Sequence, residues 1–110
     1  MDIETISRDE LKAKLDRGDD FKLVMTLHEW AYNEAHIPGS ISVTSPVLAA
    51  QRLDPEDEIV VYCSDTACVA SQLAYRALLE AGYRNVRRYA GGLSDWRAAG
   101  HTLDSNTATA

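Results

Sequence analysis

The sequence has 110 residues, of which 45% are hydrophobic and 25% are charged, and its formal net charge is -6. A chain of this length and composition is typical of one globular domain with one core, and its acidic balance argues against a nucleic-acid partner or an anionic membrane surface as its target. No apolar run is long enough to span a bilayer, and the acidic N-terminus does not resemble a secretory signal. We therefore expect a cytoplasmic protein, in which two cysteines are thiols or redox partners rather than a structural disulfide.

Helical and strand patterns alternate along the chain, followed by a short polar tail. Residues 1–103 are predicted to form one domain, and 104–110 to be a disordered tail. The predicted elements, in chain order, are helix 8–17, strand 21–27, helix 29–34, strand 41–43, helix 46–52, strand 59–62, helix 68–81, strand 86–89 and helix 93–99. This order predicts an α/β fold with a parallel sheet and helices on both faces.

The ends of two helices carry recognisable signals. Ser7 and Glu10 form a capping box before the first helix, Ile6 and Leu11 form a hydrophobic staple around it, and Gly18 ends it. In the helix after residue 67, an apolar stripe is suited to packing on the sheet, with Gly82 as its end. The stripe consists of Val69, Leu73, Ala77 and Ala81, with Ala70, Ala74 and Leu78 beside them.

Cys63 has the most informative position in the sequence. It follows the apolar run 59–62 and precedes a short turn and a helix. In parallel α/β sheets, ligands bind beyond the carboxyl ends of the strands, and the loop amides and helix N-terminus after such a strand favour a thiolate. The alternative is a small buried residue that ends a strand. We expect a functional thiol, which requires an ionised and solvent-accessible sulfur.

Four short motifs follow one another along the chain: His36-Ile37-Pro38-Gly39-Ser40-Ile41, Val60-Val61-Tyr62-Cys63, Glu80-Ala81-Gly82-Tyr83 and Gly91-Gly92-Leu93-Ser94-Asp95-Trp96. In this order they resemble a single rhodanese domain, the sulfurtransferase module, over roughly residues 5–100. The resemblance implies a five-stranded parallel sheet flanked by helices and no metal or organic cofactor. It also implies that Cys63 accepts sulfane sulfur as a persulfide from a small-molecule or protein donor and passes it to a thiol, cyanide or a protein acceptor.

The sequence also departs from the pattern that many rhodaneses share. Met25, Thr26 and Leu27 stand where many members have an acidic residue and an arginine, and Cys68 stands where many active loops have an arginine. The loop therefore resembles a less common subgroup with a second cysteine and a following serine, Ser71.

The active-site loop predicted from this resemblance contains Ser64, Asp65, Thr66, Ala67 and Cys68, whose backbone amides hold the thiolate and the terminal sulfur. The loop has no basic side chain, and Asp65 would repel the thiosulfate dianion if its side chain pointed inward, so we expect an uncharged or protein-borne sulfur donor to be preferred. Arg87 or Arg88 supplies a cation if the Gly-Gly turn lies beside the loop; otherwise both are solvated at a strand edge.

Cys68 is a candidate redox partner that can attack a persulfide on Cys63, or it is simply a packed side chain. A zinc site that combines both cysteines with His28, His36 or His101 is disfavoured, because the spacing of the cysteines is long and no second pair exists. His36 is expected to hydrogen-bond to backbone in its turn, and His28 to be a solvated loop histidine.

Two further function classes remain as alternatives. Phosphatase or arsenate reductase activity is less favoured, because no arginine or lysine lies between Cys63 and Arg76 to clamp an oxyanion. A non-catalytic interaction or regulatory module is the alternative from outside enzymology.

Overall fold

The structure is a computed structural model that describes residues 3–64 and 69–105. Its elements follow the predicted alternation of helix and strand. In chain order they are α1 (Arg8–Arg17), β1 (Lys22–Met25), α2 (Glu29–Glu34), β2 (Ile41–Ser42), α3 (Pro46–Arg52), β3 (Glu58–Tyr62), α4 (Ala70–Glu80), β4 (Asn85–Arg88) and α5 (Gly92–Ala98). In the described residues, no helix is long and apolar enough to cross a membrane.

All strand pairs in the sheet are parallel, and the strand order is β2-β1-β3-β4. Outside β4, Thr5 forms a single parallel bridge with Arg88. In residues 3–64 and 69–105, the five-stranded sheet that the family resemblance implies is thus present as four strands and this one-residue bridge. β3 is an inner strand of the sheet, so the residue that follows it leaves the sheet near its middle.

Alternate residues of β3 face opposite sides of the sheet and belong to two hydrophobic clusters. Ile59 and Val61 pack with the cluster that includes Ala49 of α3 and Tyr75 of α4. The second cluster holds Val60 and Tyr62 of β3, Leu11 of α1 and Trp96 of α5, with further members from β1 and the adjoining loops. Helices therefore cover both faces of the sheet, as predicted, and each fully buried aliphatic or aromatic side chain contributes about 1.5–3 kcal/mol.

Helix α1 begins and ends at the predicted signals. Ser7 Oγ accepts a hydrogen bond from the Glu10 N–H at 3.1 Å, and Gly18 ends the helix in the left-handed conformation at φ 71°. The Glu10 carboxylate, which a full capping box directs to the N-cap amide, accepts from Arg87 of β4 at 2.8 Å. The Glu10 side chain, which the sequence assigns to the N-cap of α1, thus connects α1 to β4 of the sheet.

The face of α4 that packs on the sheet agrees with the predicted stripe at Leu78 but not at Val69 and Leu73. Val69 is 61% exposed and Leu73 is 64% exposed, whereas the buried side chains of the helix are Ser71, Tyr75 and Leu78. The hydropathy pattern does not identify this face because the face contains polar side chains whose hydrogen-bond partners lie inside the protein. The Tyr75 hydroxyl, for example, accepts a hydrogen bond from the Glu4 N–H at 3.1 Å. The predicted end of the helix is confirmed, since the Tyr83 N–H donates to the Leu78 carbonyl after Gly82 at φ 99°.

The first two residues of the predicted tail are held against the domain. Asp104 and His36 exchange two backbone hydrogen bonds of 2.8 and 2.9 Å, and Ser105 Oγ donates to the Asn33 carbonyl at 3.0 Å. The predicted boundary at residue 103 therefore falls before two residues that have fixed contacts. Residues 106–110 lie outside the described part of the chain.

Candidate active site

Cys63 directly follows β3 and emerges at the carboxyl end of this inner strand. Its carbonyl accepts a hydrogen bond of 3.0 Å from the Leu93 N–H, and the Ser64 carbonyl accepts one of 2.8 Å from the Ser94 N–H. The first turn of α5 thus fixes the backbone where the candidate active-site loop leaves the sheet.

The end of β1 fixes the residue just before Cys63. The carbonyl of Tyr62 accepts hydrogen bonds from the N–H of Thr26 at 3.1 Å and from its Oγ1 at 3.3 Å. Thr26 occupies part of the stretch in which many rhodaneses carry charged residues, so in this chain that stretch anchors backbone.

The Tyr62 side chain connects β3 to the turn that follows α2. Its hydroxyl accepts a hydrogen bond of 3.0 Å from the Ile37 N–H and lies 2.8 Å from Ser40 Oγ. Burial raises the pKa of Tyr62 to about 12. The neutral hydroxyl therefore joins the first and second sequence motifs, which are distant in the chain.

The sulfur of Cys63 lies beside a polar pair inside the protein. Its Sγ is 3.4 Å from Ser71 Oγ of α4, and Ser71 Oγ accepts a hydrogen bond of 2.8 Å from Arg88 Nε of β4. Ser71 has no exposed surface and Arg88 is 7% exposed. A buried cation is therefore linked to the sulfur through one serine.

The accessibility expected of Cys63 is not observed in this structure. The residue is 1% exposed, and it is in the disulfide-bonded form. A disulfide sulfur is not a nucleophile, because nucleophilic attack needs a thiolate. The functional interpretation therefore requires that reduction precede any reaction of this sulfur.

Only the first residue of the predicted active-site loop is described. Ser64 is partly buried, and Asp65, Thr66, Ala67 and Cys68 lie outside the described residues. Their amide cradle, the charge of Asp65 and the redox role of Cys68 thus stay predictions.

The two neighbouring arginines of β4 serve opposite faces of the sheet. Arg87 pairs in register with Val60, and its guanidinium contacts Glu10 at 2.8 Å and Glu58 at 3.2 Å. Arg88 pairs with Val61, whose side chain packs on the α4 face, so its own side chain points toward Ser71. Of the two predicted cation sources, the structure places Arg88 beside the site, and it is not a solvated arginine.

The histidines that were considered as zinc ligands have separate environments. His36 is buried, its Nδ1 is 2.8 Å from the Tyr32 carbonyl, and its ring stacks on Tyr32 at 4.0 Å, which confirms the expected backbone hydrogen bond. His101 packs on the Trp96 ring at 4.7 Å. His28 is exposed at the N-cap of α2, as expected of a loop histidine.

The linked pair of Ser71 and Arg88 was not predicted as a unit. Ser71 was noted only as a subgroup feature, and Arg88 was one of two options. The available signal was a serine near the start of a helical segment rich in apolar residues, 17 residues before Arg88 in the next strand.

Comparison with known families decides what kind of domain this is. The sequence-family model of the rhodanese-like domain matches residues 7–99 of this chain. The chain belongs to the rhodanese-like domain family. The matched residues include all four strands, Cys63 and all five helices.

Several named relatives are similar to this chain. The HTH-type transcriptional regulator Rv0324 of Mycobacterium tuberculosis is 34% identical over 92% of this chain and 45% of its own length. The putative sulfur carrier protein YrkF of Bacillus subtilis is 27% identical over 86% of this chain and 51% of its own length. The thiosulfate sulfurtransferase GlpE of Coxiella burnetii is 30% identical over 69% of this chain and 71% of its own. The chain thus spans about half the length of the first two relatives.

Solved structures share the fold. The BH2092 protein of Bacillus halodurans superposes with a TM-score of 0.86 at 24% identity, covering 94% of this chain and 77% of that chain. A thiosulfate sulfurtransferase of Pseudomonas aeruginosa gives 0.81 at 24% identity, covering 96% of this chain and 21% of that chain. These structural similarities establish the rhodanese-like fold.

Proposed function

We propose that this domain is a sulfurtransferase or sulfur carrier that forms a persulfide on Cys63. The observation that carries the proposal is the position of Cys63 at the carboxyl end of the inner strand β3, with a buried polar pair beside its sulfur. The relatives named as a thiosulfate sulfurtransferase and a putative sulfur carrier support the same chemistry.

The proposed reaction has two steps. The Cys63 thiolate attacks the outer sulfur of a donor persulfide, so a new S–S bond forms on Cys63, the donor S–S bond breaks, and the donor leaves as a thiolate. An acceptor thiolate then attacks the outer sulfur of the Cys63 persulfide and carries it away, which regenerates the Cys63 thiolate. With cyanide as acceptor, the product of the second step is thiocyanate.

Cys68 is proposed as the redox partner of Cys63. Attack of the Cys68 thiolate on Sγ of the Cys63 persulfide forms a disulfide and releases hydrosulfide, so the electrons and atoms balance without another reactant. The disulfide-bonded state of Cys63 supports a redox cycle at this residue. A dithiol reductant then returns the thiolate, which fits the reducing cytoplasm in which we expect the protein to act.

We also expect a persulfide or protein-borne donor to be used better than thiosulfate. The predicted loop carries Asp65 and no basic side chain, and a carboxylate repels a dianion. Steady-state kinetics with thiosulfate and with glutathione persulfide would measure the preference; a much higher kcat/KM for thiosulfate would contradict this part of the proposal.

The decisive experiment is mass spectrometry of the reduced full chain after incubation with glutathione persulfide. We expect a mass gain of one sulfur atom that cyanide removes and that is absent from Cys63→Ser. The Cys68→Ser variant is the matched control, because it should gain the sulfur and retain it longer. A wild-type protein that gains no cyanide-labile sulfur would refute the proposal.

A regulatory module is the second candidate, and one observation favours it. The relative Rv0324 is named as a transcriptional regulator, and this chain matches 45% of its length. In that function Cys63 would be loaded once and hold its sulfur or disulfide as a signal. Continuous thiocyanate formation over many turnovers supports the enzyme, whereas a single equivalent followed by arrest supports the regulator.

A further inference from the structure

Ser71 is a polar residue on the buried face of α4, and it touches both Cys63 and Arg88. Its side chain has no exposed surface. In the described part of the chain, its Oγ has two polar contacts, Cys63 Sγ at 3.4 Å and Arg88 Nε at 2.8 Å. The helix therefore presents a hydroxyl where the neighbouring buried positions of α4, Tyr75 and Leu78, present large side chains.

The direction of the two hydrogen bonds follows from the chemistry of the groups. A guanidinium can only donate, so Ser71 Oγ is the acceptor toward Arg88. A hydroxyl has one hydrogen, which remains available for the other neighbour, and a disulfide sulfur or thiolate has no hydrogen to give. Donation therefore passes from Arg88 to Ser71 and from Ser71 to the Cys63 sulfur.

The backbone of Arg88 is fixed on both sides, which makes the arrangement rigid. Its N–H donates to the Glu4 carbonyl at 2.8 Å, its carbonyl accepts from the Ile6 N–H at 3.1 Å, and it pairs in register with Val61, two residues before Cys63. A charged group held in a buried environment interacts more strongly with its neighbours than one in water. The positive charge is thus placed to act on the sulfur through the serine.

We propose that Ser71 donates a hydrogen bond to the Cys63 thiolate and to its persulfide, and that Arg88 is the positioning residue that orients the Ser71 hydroxyl. This inference deepens the proposed function and rests on it for the persulfide, while the thiolate part stands by itself. In this chain the anion on Cys63 would be stabilised from the helix and strand behind the sulfur, in addition to the predicted loop amides. Once the disulfide is reduced, the donor is already in place.

The test is the pH dependence of iodoacetamide alkylation of Cys63 in the reduced full chain, with the label assigned to Cys63 by tandem mass spectrometry. A hydrogen bond to a charged group corresponds to a midpoint shift of about one pH unit or more. We expect Ser71→Ala to raise the midpoint by that amount, because the thiolate loses its donor. Arg88→Met should raise it as well, since the hydroxyl is no longer oriented.

Ser42→Ala is the matched control, because Ser42 is another buried serine but lies on the edge strand β2. It should leave the alkylation midpoint unchanged. Ser71→Ala makes the helix residue smaller and is expected to fold, which circular dichroism checks; Arg88→Met is the second, independent perturbation.

The outcomes separate the inference from the proposed function. An unchanged midpoint in folded Ser71→Ala overturns the inference, even if the wild type gains a cyanide-labile sulfur. A raised midpoint in Ser71→Ala, together with a wild type that gains no sulfur, supports the thiolate donor and refutes the sulfurtransferase. A raised midpoint in Ser71→Ala but not in Arg88→Met overturns the positioning role of Arg88 alone.

Discussion

Gly91 is the position at which a single methyl group should disturb both the fold and the candidate site. A Cβ added there would lie 2.5 Å from Asp95 Cβ and 2.8 Å from Asp95 Cγ, whereas carbon atoms in contact are normally about 3.5–4.0 Å apart. Gly91 is the N-cap residue of α5 and directly precedes Gly92, which has a positive φ of 63°.

Asp95 has little freedom to move away from the added methyl group. Its carboxylate accepts hydrogen bonds from Arg8 at 3.0 Å and from the Tyr89 hydroxyl at 2.5 Å. Overpacking costs about 1–3 kcal/mol, and loss of these hydrogen bonds adds to it. We expect Gly91→Ala to lower the free energy of unfolding by about 2–3 kcal/mol, which corresponds to a fall in Tm of roughly 10 °C or more.

Urea denaturation of matched double variants tests the cause of this loss. The nearest atom is Asp95 Cβ, so Gly91→Ala should still be costly in an Asp95→Ala background, which keeps that atom, and nearly neutral in an Asp95→Gly background. An equal loss in all three backgrounds would refute the steric explanation. A loss within about 0.5 kcal/mol in the wild type would refute the close approach itself.

Three further outcomes follow from the described contacts. Tyr62→Phe should destabilise the protein by about 1–3 kcal/mol in urea denaturation, because the buried Ile37 N–H loses its acceptor; an unchanged midpoint would contradict this. Burial raises the pKa of Tyr62 to about 12 from 10.0. The stability that the neutral Tyr62 hydroxyl contributes is therefore fully present below pH 10, and it falls by about 1.4 kcal/mol per pH unit as the pH rises from 10 to 12. Tyr62→Phe should reduce this fall in the free energy of unfolding. Cys63 is buried and disulfide-bonded, so iodoacetamide should label it only after a dithiol reductant is added; equal labelling without reductant would show that this state is not the one in solution.

Local signals in the sequence were sufficient for most element ends. Ser7 and Gly18 bound α1 because capping and left-handed termination depend on residues within one turn. The alternation of elements was also sufficient for the parallel sheet and for the place of Cys63 after an inner strand. These features need no knowledge of distant contacts.

Features that depend on distant partners were predicted less well. The α4 face was assigned by hydropathy, but Ser71 and Tyr75 are buried because Arg88 and the Glu4 amide satisfy their hydroxyls. Glu10 was assigned to its own helix cap and instead binds Arg87 of β4. In each case a polar side chain finds its partner in an element that is remote in sequence, which a local pattern does not contain.

The alternation of β4 explains how a loop without basic residues can still have a cation near its cysteine. Side chains of successive strand residues point to opposite faces, so Arg87 joins the ion pairs with Glu10 and Glu58 while Arg88 turns to Ser71. Many rhodaneses have an arginine in the active loop where this chain has Cys68. If the second cysteine serves redox chemistry, the positive charge has to come from elsewhere, and a strand arginine acting through a helix serine supplies it without occupying a loop position.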